Sequence, residues 1–276
     1  MRLRFLATLV AFSISLTAAA LTQPAAQTGS KPAVKPPAPP TPYWPDGRVN
    51  LGPLPGGKGH WNTGPGVLSE NPIKMAGAFL ADPADVDKVA PFQPWARGLF
   101  QYRQETQGKD DPHARCKGPA GPRQFTTPYG LEFVDQPEIK RLLILSAGAS
   151  HAWRVIYMDG RPHPTGEDVN PTYFGHSVGR WEKDTLVIDT VGFNERFWMS
   201  GRPLGIVHTD QLHMIERISR PDFNTLRYEA TIDDPGAYTR PWTAQAFNIP
   251  WTPLESEEFF CTDNNRYGEH HGGSNP

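Results

Sequence analysis

The pattern of hydrophobic and polar residues changes near residue 125. Beyond it, apolar and polar residues alternate in short runs that are separated by turn residues. A period of two is typical of a strand with one buried face, and short turns between such runs predict antiparallel hairpins. The predicted strands are Leu131–Val134, Leu142–Ser146, Trp153–Met158, Ser177–Trp181, Thr185–Val191, Gln211–Ser219, Thr225–Ile232, Thr243–Ile249 and Glu257–Cys261.

This many strands with short connections predicts one antiparallel sheet, and a sheet of that size closes or folds over on itself. We therefore expect a mainly β fold, either an antiparallel barrel of roughly 8–10 strands or a folded-over sheet. The hairpin formed by Ser177–Trp181 and Thr185–Val191 is like the up-and-down strands of calycin barrels. That analogy concerns the fold and implies no function.

A helical pattern is confined to residues 82–107. Asp82 precedes a proline, which is typical of a helix N-terminus, and Pro91 and Pro94 interrupt the helix and restart it. The sequence thus predicts one or two helices within an arm at 43–110, ahead of a β-barrel domain at 111–276.

The first residues are typical of a secretory signal. Arg2 and Arg4 precede the apolar run Phe5–Leu16, and small residues follow, so that residues 1–20 form a signal peptide cleaved near residue 20 or 26. An uncleaved anchor is the alternative, although the apolar run is short for one. We expect export to the periplasm or the extracellular space, with residues 21–42 forming a Pro-rich tether.

Composition narrows the class of protein. The chain holds 30 Pro and 26 Gly among 276 residues, which excludes a helical bundle or a coiled coil. Lys and Arg total 27 against 29 Asp and Glu, and no basic stripe is present, so nucleic acid is not an expected partner. The mature chain has no apolar run long enough for a membrane span. Oligomeric state is left open.

The two cysteines, Cys116 and Cys261, make an even pair in a chain with an export signal. Such a pair is expected to form a disulfide in an oxidising compartment. Two buried free thiols are the alternative.

Four segments resemble a large family of uncharacterised exported bacterial proteins. They are Asp111–Arg123, the YMDGRPHP motif at Tyr157–Pro164, the GHSVGRWE motif continuing through DTLVIDTVGFN at Gly175–Asn194, and DDPGAYTRPWT at Asp233–Thr243. The resemblance spans residues 110–270 and implies a secreted, barrel-like protein. It implies no activity.

Five residues are candidates for acid–base chemistry. His176 stands at a strand entrance, and His208 lies in a Gly-rich loop, Gly201–Thr209, that is expected at the barrel mouth, where functional residues are common. Glu216 falls on the apolar face of its strand, where a carboxylate must find a partner or shift its pKa. A structural pairing with an arginine is the alternative for Glu216. His213 and Asp189 complete the set as possible members of a His/carboxylate pair.

No metal site is expected, since His208 and His213 are five residues apart rather than two, as one face of a strand would require. No phosphate-binding loop, dinucleotide fingerprint, H-E-x-x-H motif or nucleophile elbow is present, and no cofactor is predicted.

Aromatic residues crowd the β region, and most of them are expected to belong to the core. Phe197 and Trp198 stand beside the Gly201–Gly205 loop, where a binding wall is expected. The candidate ligand-binding residues are Tyr157, Trp181, Asn194, Phe197, Trp198, Arg217, Tyr238 and Trp242.

The sequence leaves three hypotheses open, and does not decide whether the protein is an enzyme. In the first, the barrel binds a small aromatic or carbohydrate-like molecule. In the second, the protein is a cofactor-independent hydrolase, lyase or isomerase that uses a His/carboxylate pair at the barrel mouth. In the third, it is a tethered structural protein of the cell envelope.

Overall fold

The computed structural model describes residues 37–263, and those from Ala38 onward belong to one compact unit. The predicted signal peptide and most of the tether lie outside this range. The strands are β1 His60–Trp61, β2 Met75–Ala76, β3 Phe79–Leu80, β4 Leu131–Gln136, β5 Arg141–Ser146, β6 Ala152–Tyr157, β7 His176–Glu182, β8 Thr185–Val191, β9 His213–Asp222, β10 Thr225–Asp233, β11 Trp242–Thr243 and β12 Phe247–Thr252. The α-helices are α1 Val86–Val89, α2 Pro94–Glu105, α3 Arg123–Thr126 and α4 Gly148–His151. Short 3-10 helices lie at Pro83–Asp85, Pro112–Arg115, Pro137–Ile139, Gly166–Asp168 and Cys261–Asp263.

Within the described residues, nine strands close into a barrel, which confirms the predicted fold class. Their order is β10-β12-β1-β4-β5-β6-β7-β8-β9, and β9 pairs with β10 to complete the ring. The barrel is mixed rather than purely antiparallel, because β6 and β7 run parallel through Ile156↔Ser177 and Tyr157↔Val178. Parallel neighbours need a crossover instead of a hairpin, and residues 158–175 supply it.

The segment at 43–110 contributes to the barrel wall and to the core. Trp61 in β1 pairs with Leu131 on one side and Trp251 on the other. Its ring is fully buried, and its indole N–H donates to the carbonyl oxygen of Leu51 at 2.7 Å. The interruption predicted at Pro91 and Pro94 is present, since α1 ends at Val89 and α2 begins at Pro94.

A buried polar network lies inside the barrel. The Arg154 guanidinium donates to Glu216 at 2.5 Å, and the Tyr228 hydroxyl donates to the other oxygen of Glu216 at 2.8 Å. The ring of Phe125, from α3, stacks on Tyr228 with centroids 3.9 Å apart, so that side chains fill this part of the interior. Glu216 thus has the arginine partner that the sequence analysis offered as its structural alternative, and the aromatic contact helps to isolate the pair from solvent.

Cys116 and Cys261 form the predicted disulfide, with their Cα atoms 5.5 Å apart. The strand predicted at Glu257–Cys261 is wrong, because this segment has no ladder partner and ends in a short 3-10 helix. The disulfide to Cys116, the stacking of Phe259 on Tyr129 and the hydrogen bond from the Phe259 N–H to His151 hold this segment against the domain without strand pairing.

Candidate functional site

Three histidines and one aspartate are linked by hydrogen bonds on the outer wall of the barrel. Nδ1 of His163 lies 2.9 Å from Nδ1 of His176. Oδ1 of Asp189 lies 3.2 Å from Nε2 of His163 and 2.8 Å from Nε2 of His213. The row His176–His163–Asp189–His213 is called the histidine–aspartate relay below.

Strand alternation accounts for three of its members. In β7, β8 and β9 the inward residues Ser177, Thr190 and Met214 are buried, so their neighbours His176, Asp189 and His213 face outward. These strands are adjacent in the sheet, which brings the three outward side chains onto one patch of the wall. These side chains point away from the barrel interior, and His176 and His213 are the first residues of β7 and β9.

His163 reaches the same patch from the crossover 158–175. The crossover is anchored to the wall where Met158 N–H donates to the Lys140 carbonyl oxygen and Thr172 N–H donates to the Gly192 carbonyl oxygen. His163 lies between these anchors and inserts its ring between His176 and Asp189. His163 was not among the residues selected from the sequence, although it stands in the YMDGRPHP motif.

The hydrogen positions in the relay follow from the nature of the acceptor. An ionised carboxylate only accepts, so His163 and His213 both donate to Asp189 from Nε2. In the tautomer of His163 that donates from Nε2, Nδ1 carries a lone pair, and the hydrogen between the two Nδ1 atoms belongs to His176. Nε2 of His176 is consequently unprotonated, and it has no hydrogen-bond partner among the described residues.

Electrostatics keep His176 in its basic form. Burial lowers the pKa of its imidazole below the usual 6.5, and the nearby His163 and Arg161 lower it further, while Asp159 opposes them. At neutral pH the free Nε2 is therefore available to accept a proton. Asp159 is itself held ionised, because hydrogen bonds from Arg161 lower the pKa of its carboxyl to about 2.

A groove of about 380 Å³ opens beside His176, between β6 and the crossover. Its floor is the outward face of β6, and the ring of Tyr157 stacks on His176 with centroids 5.2 Å apart. The guanidinium of Arg161 lies 3.9 Å from the centre of the Tyr157 ring. Other lining residues are Trp153, Val155, Pro164, Asp168, Val169, Asn170, Thr172 and Phe174. Of the predicted ligand-binding residues, Tyr157 is the one that lines this groove.

The four side chains of the relay form a linear series of hydrogen bonds and do not converge on one point. His163 directs one ring nitrogen to each neighbour, and Asp189 lies between His163 and His213. Among residues 37–263, no group of three or more His, Cys, Asp or Glu side chains is placed to hold a metal ion. The arrangement suits proton transfer along hydrogen bonds.

The structure separates the other two catalytic candidates from the relay. His208 is buried, and its ring nitrogens lie 3.1 Å from the carbonyl oxygen of Thr209 and 3.0 Å from that of Phe197. Glu216 faces the barrel interior with Arg154. Neither side chain lines the groove.

Most of the predicted binding wall belongs to the core. Phe197, Trp198, Tyr238 and Trp242 are buried. The guanidinium of Arg103 in α2 packs over Trp198, and the rings of Tyr238 and Trp242 contact each other. Of the remaining candidates, Trp181 packs against the core, Asn194 accepts from the Arg196 backbone N–H, and Arg217 pairs with Glu182 at the surface.

No family model matches the chain, and no curated protein or solved structure is significantly similar to it. The resemblance to the exported bacterial family therefore stays a prediction. Of the helices in the described residues, none is both long enough and apolar enough to cross a bilayer.

Proposed function

We propose that this protein is an exported enzyme that moves protons on a small molecule held in the groove beside His176. The observation that carries the proposal is the relay, which leaves a basic imidazole nitrogen free at the edge of a groove and connects it to a carboxylate. The reaction class is hydrolysis, elimination or isomerisation without a cofactor. The ligand is a small aromatic or carbohydrate-like molecule.

His176 acts as the general base. When Nε2 takes a proton from the substrate, His176 becomes a cation that still donates from Nδ1 to His163. His163 in turn donates from Nε2 to Asp189, and the carboxylate stabilises the positive charge through the intervening ring, as in a catalytic triad. The same nitrogen returns the proton to the product or leaving group as a general acid.

His213 and Tyr157 have supporting roles. His213 donates to the same oxygen of Asp189 as His163 does, which fixes the carboxylate in place. Tyr157 stacks on His176 and, with Arg161 over its ring, limits rotation of the imidazole. A base held in one orientation loses little entropy when the substrate arrives.

Export is supported by two observations. The first residues have the charged, apolar and small-residue order of a secretory signal. The Cys116–Cys261 disulfide is typical of proteins in oxidising compartments.

A second candidate function is binding without chemistry. The groove supports it, since a depression lined by aromatic and polar side chains is the usual form of a small-molecule site. In that case the relay only orients the ligand.

The test starts with protein purified from its native host. Small molecules that it retains are identified by mass spectrometry and incubated with fresh protein, and their conversion is followed by NMR. We expect at least one compound to be converted, with a rate roughly 10²–10⁴-fold lower for His176→Asn, because general-base catalysis contributes about that much.

His60→Asn is the matched control, since it removes an imidazole whose Nδ1 contacts Leu254, away from the relay. It should retain the full rate. Compounds that bind but are not converted by the unmodified protein would favour the binding-only candidate. Equal rates for His176→Asn and the unmodified protein would overturn the proposed role of His176.

A further inference from the structure

We infer that the groove beside His176 is built for an uncharged carbohydrate, with one sugar ring resting on Trp153 and its hydroxyl groups facing Asp168 and Asn170. This inference rests on the proposed function for the location of the site. It goes further in excluding the aromatic alternative and in excluding a charged ligand.

Trp153 provides an exposed aromatic platform at the groove. Its position in β6 directs its side chain outward, and 64% of the residue surface is exposed. The described residues include no acceptor for its indole N–H, so both the ring face and the N–H are free to contact a ligand. A sugar ring presents an apolar face of C–H groups, which packs on such a surface.

The opposite side of the groove is polar. Asp168 and Asn170 lie on the crossover and line the groove, and neither side chain has a hydrogen-bond partner in the part of the chain that the structure describes. The carboxylate accepts two or more hydrogen bonds, and the amide both donates and accepts. Sugar hydroxyl groups donate and accept as well, so they match this pair. A flat aromatic ligand would remove both groups from water without replacing their hydrogen bonds.

The charges around the groove disfavour an anionic ligand. Arg161 is near the site, but it donates to both oxygens of Asp159, which neutralises it locally. Apart from the buried Arg154, which pairs with Glu216 inside the barrel, no Lys or Arg of the described residues lines the groove, whereas Asp168 adds a negative charge. An acidic sugar would meet Asp168 without a free cation to balance it.

The base is in the same groove. His176 and Trp153 both line this groove. A sugar ring that packs on the indole of Trp153 therefore has its hydroxyl groups in the same groove as the imidazole of His176. Hydroxyl groups and the carbon atoms beside them are the positions at which acid–base enzymes remove and return protons.

Binding of three uncharged disaccharides (cellobiose, maltose and N,N′-diacetylchitobiose) tests the inference, with digalacturonate as the acidic probe and coniferyl alcohol as the uncharged aromatic probe. Titration calorimetry and tryptophan fluorescence report Kd. We expect at least one uncharged disaccharide to bind, and Trp153→Ala to weaken its binding by about tenfold or more.

Trp95→Ala is the matched control, because Trp95 is also exposed but lies on α2, where its indole N–H donates to Gly236. It should leave Kd unchanged, whereas His176→Asn should lower the rate of any conversion by roughly 10²–10⁴-fold. The inference is overturned if none of the three uncharged disaccharides binds, or if Trp153→Ala binds them as tightly as the unmodified protein does.

The two proposals can fail separately. A disaccharide that binds through Trp153 but is never converted would leave the ligand class standing and remove the enzymatic role. Conversion of a compound that is not a carbohydrate, lost in His176→Asn, would keep the enzyme and overturn the ligand class.

Discussion

His163 and His176 meet through their Nδ1 atoms, 2.9 Å apart, and share one hydrogen although each comes from a different part of the chain. His176 opens β7, whereas His163 lies on the crossover that precedes it. The contact therefore couples the ionisation of His176 to His163, whose Nε2 contacts Asp189.

The first prediction concerns this coupling. Burial is the largest cause that lowers the pKa of His176, and charge repulsion from His163 adds to it. A glutamine in place of His163 can still accept the Nδ1 hydrogen of His176 through its amide oxygen but cannot carry a positive charge, so His163→Gln should raise the pKa of His176 toward 6.5. The measurement is an NMR titration of the imidazole nitrogens. His60→Gln should leave the His176 titration where it is, and a His176 pKa that stays the same or falls in His163→Gln would contradict the prediction.

The sequence predicted part of this site, and strand alternation explains which part. Alternation predicted that His213 and Glu216 lie on opposite faces of β9. In the structure His213 is on the outer face of the barrel wall and Glu216 points into the barrel. Registers between neighbouring strands then bring His213 close to Asp189. Alternation shows which residues share a face of a strand, but it does not show which side of the barrel wall holds the site. The outer wall was therefore not identified as its location.

His163 was missed for a different reason. It lies on the crossover between the parallel strands β6 and β7, and a crossover has no period that sets where its side chains point. His208 was selected because it lies near a Gly-rich segment, yet the loop folds inward and buries it between two backbone carbonyl groups. Local composition predicts that a segment is a loop, but packing decides which loop residues reach solvent.

A second prediction follows from the Arg154–Glu216 pair inside the barrel. Both side chains are buried, so Glu216→Ala leaves an uncompensated guanidinium in the interior and should lower the free energy of unfolding by about 3–5 kcal/mol. Denaturant unfolding measures it. Replacing both partners with apolar residues, Arg154→Met with Glu216→Leu, should restore much of the loss.

The exposed pair Arg217–Glu182 provides the comparison, since it is solvated and lies on the outer face. Arg217→Ala should cost no more than about 1 kcal/mol. If Glu216→Ala costs as little as Arg217→Ala, the interior network does not stabilise the fold in the way the structure indicates.

A third prediction concerns stability in mild acid. Burial lowers the pKa of His208 below 6.5, although hydrogen bonds to Thr209 and Phe197 oppose the shift. The unfolded chain therefore binds a proton at a higher pH than the folded chain does, and stability falls as the pH drops below about 6.5. One such group contributes at most about 1.4 kcal/mol per pH unit.

His208→Gln should flatten this dependence, as measured by thermal unfolding between pH 7.5 and pH 5. The dependence of stability on pH should weaken in this variant but not disappear, because the pKa values of His113 and His176 are lowered as well. A variant that keeps the full acid sensitivity would show that His208 does not contribute to it.

The last prediction concerns the disulfide, which closes a loop spanning 145 residues. In the chain-entropy description a loop of this length restricts the unfolded chain strongly, so Cys116→Ser with Cys261→Ser should lower the free energy of unfolding by about 4–5 kcal/mol. Denaturant unfolding of the double variant measures the change, and the unmodified protein in reducing buffer should lose a similar amount. The folded barrel itself should remain intact, because the segment that Cys261 anchors has no strand partner in the ladder. A double variant within about 1 kcal/mol of the oxidised protein would contradict the prediction and show that the disulfide restricts the unfolded chain little beyond its residual structure.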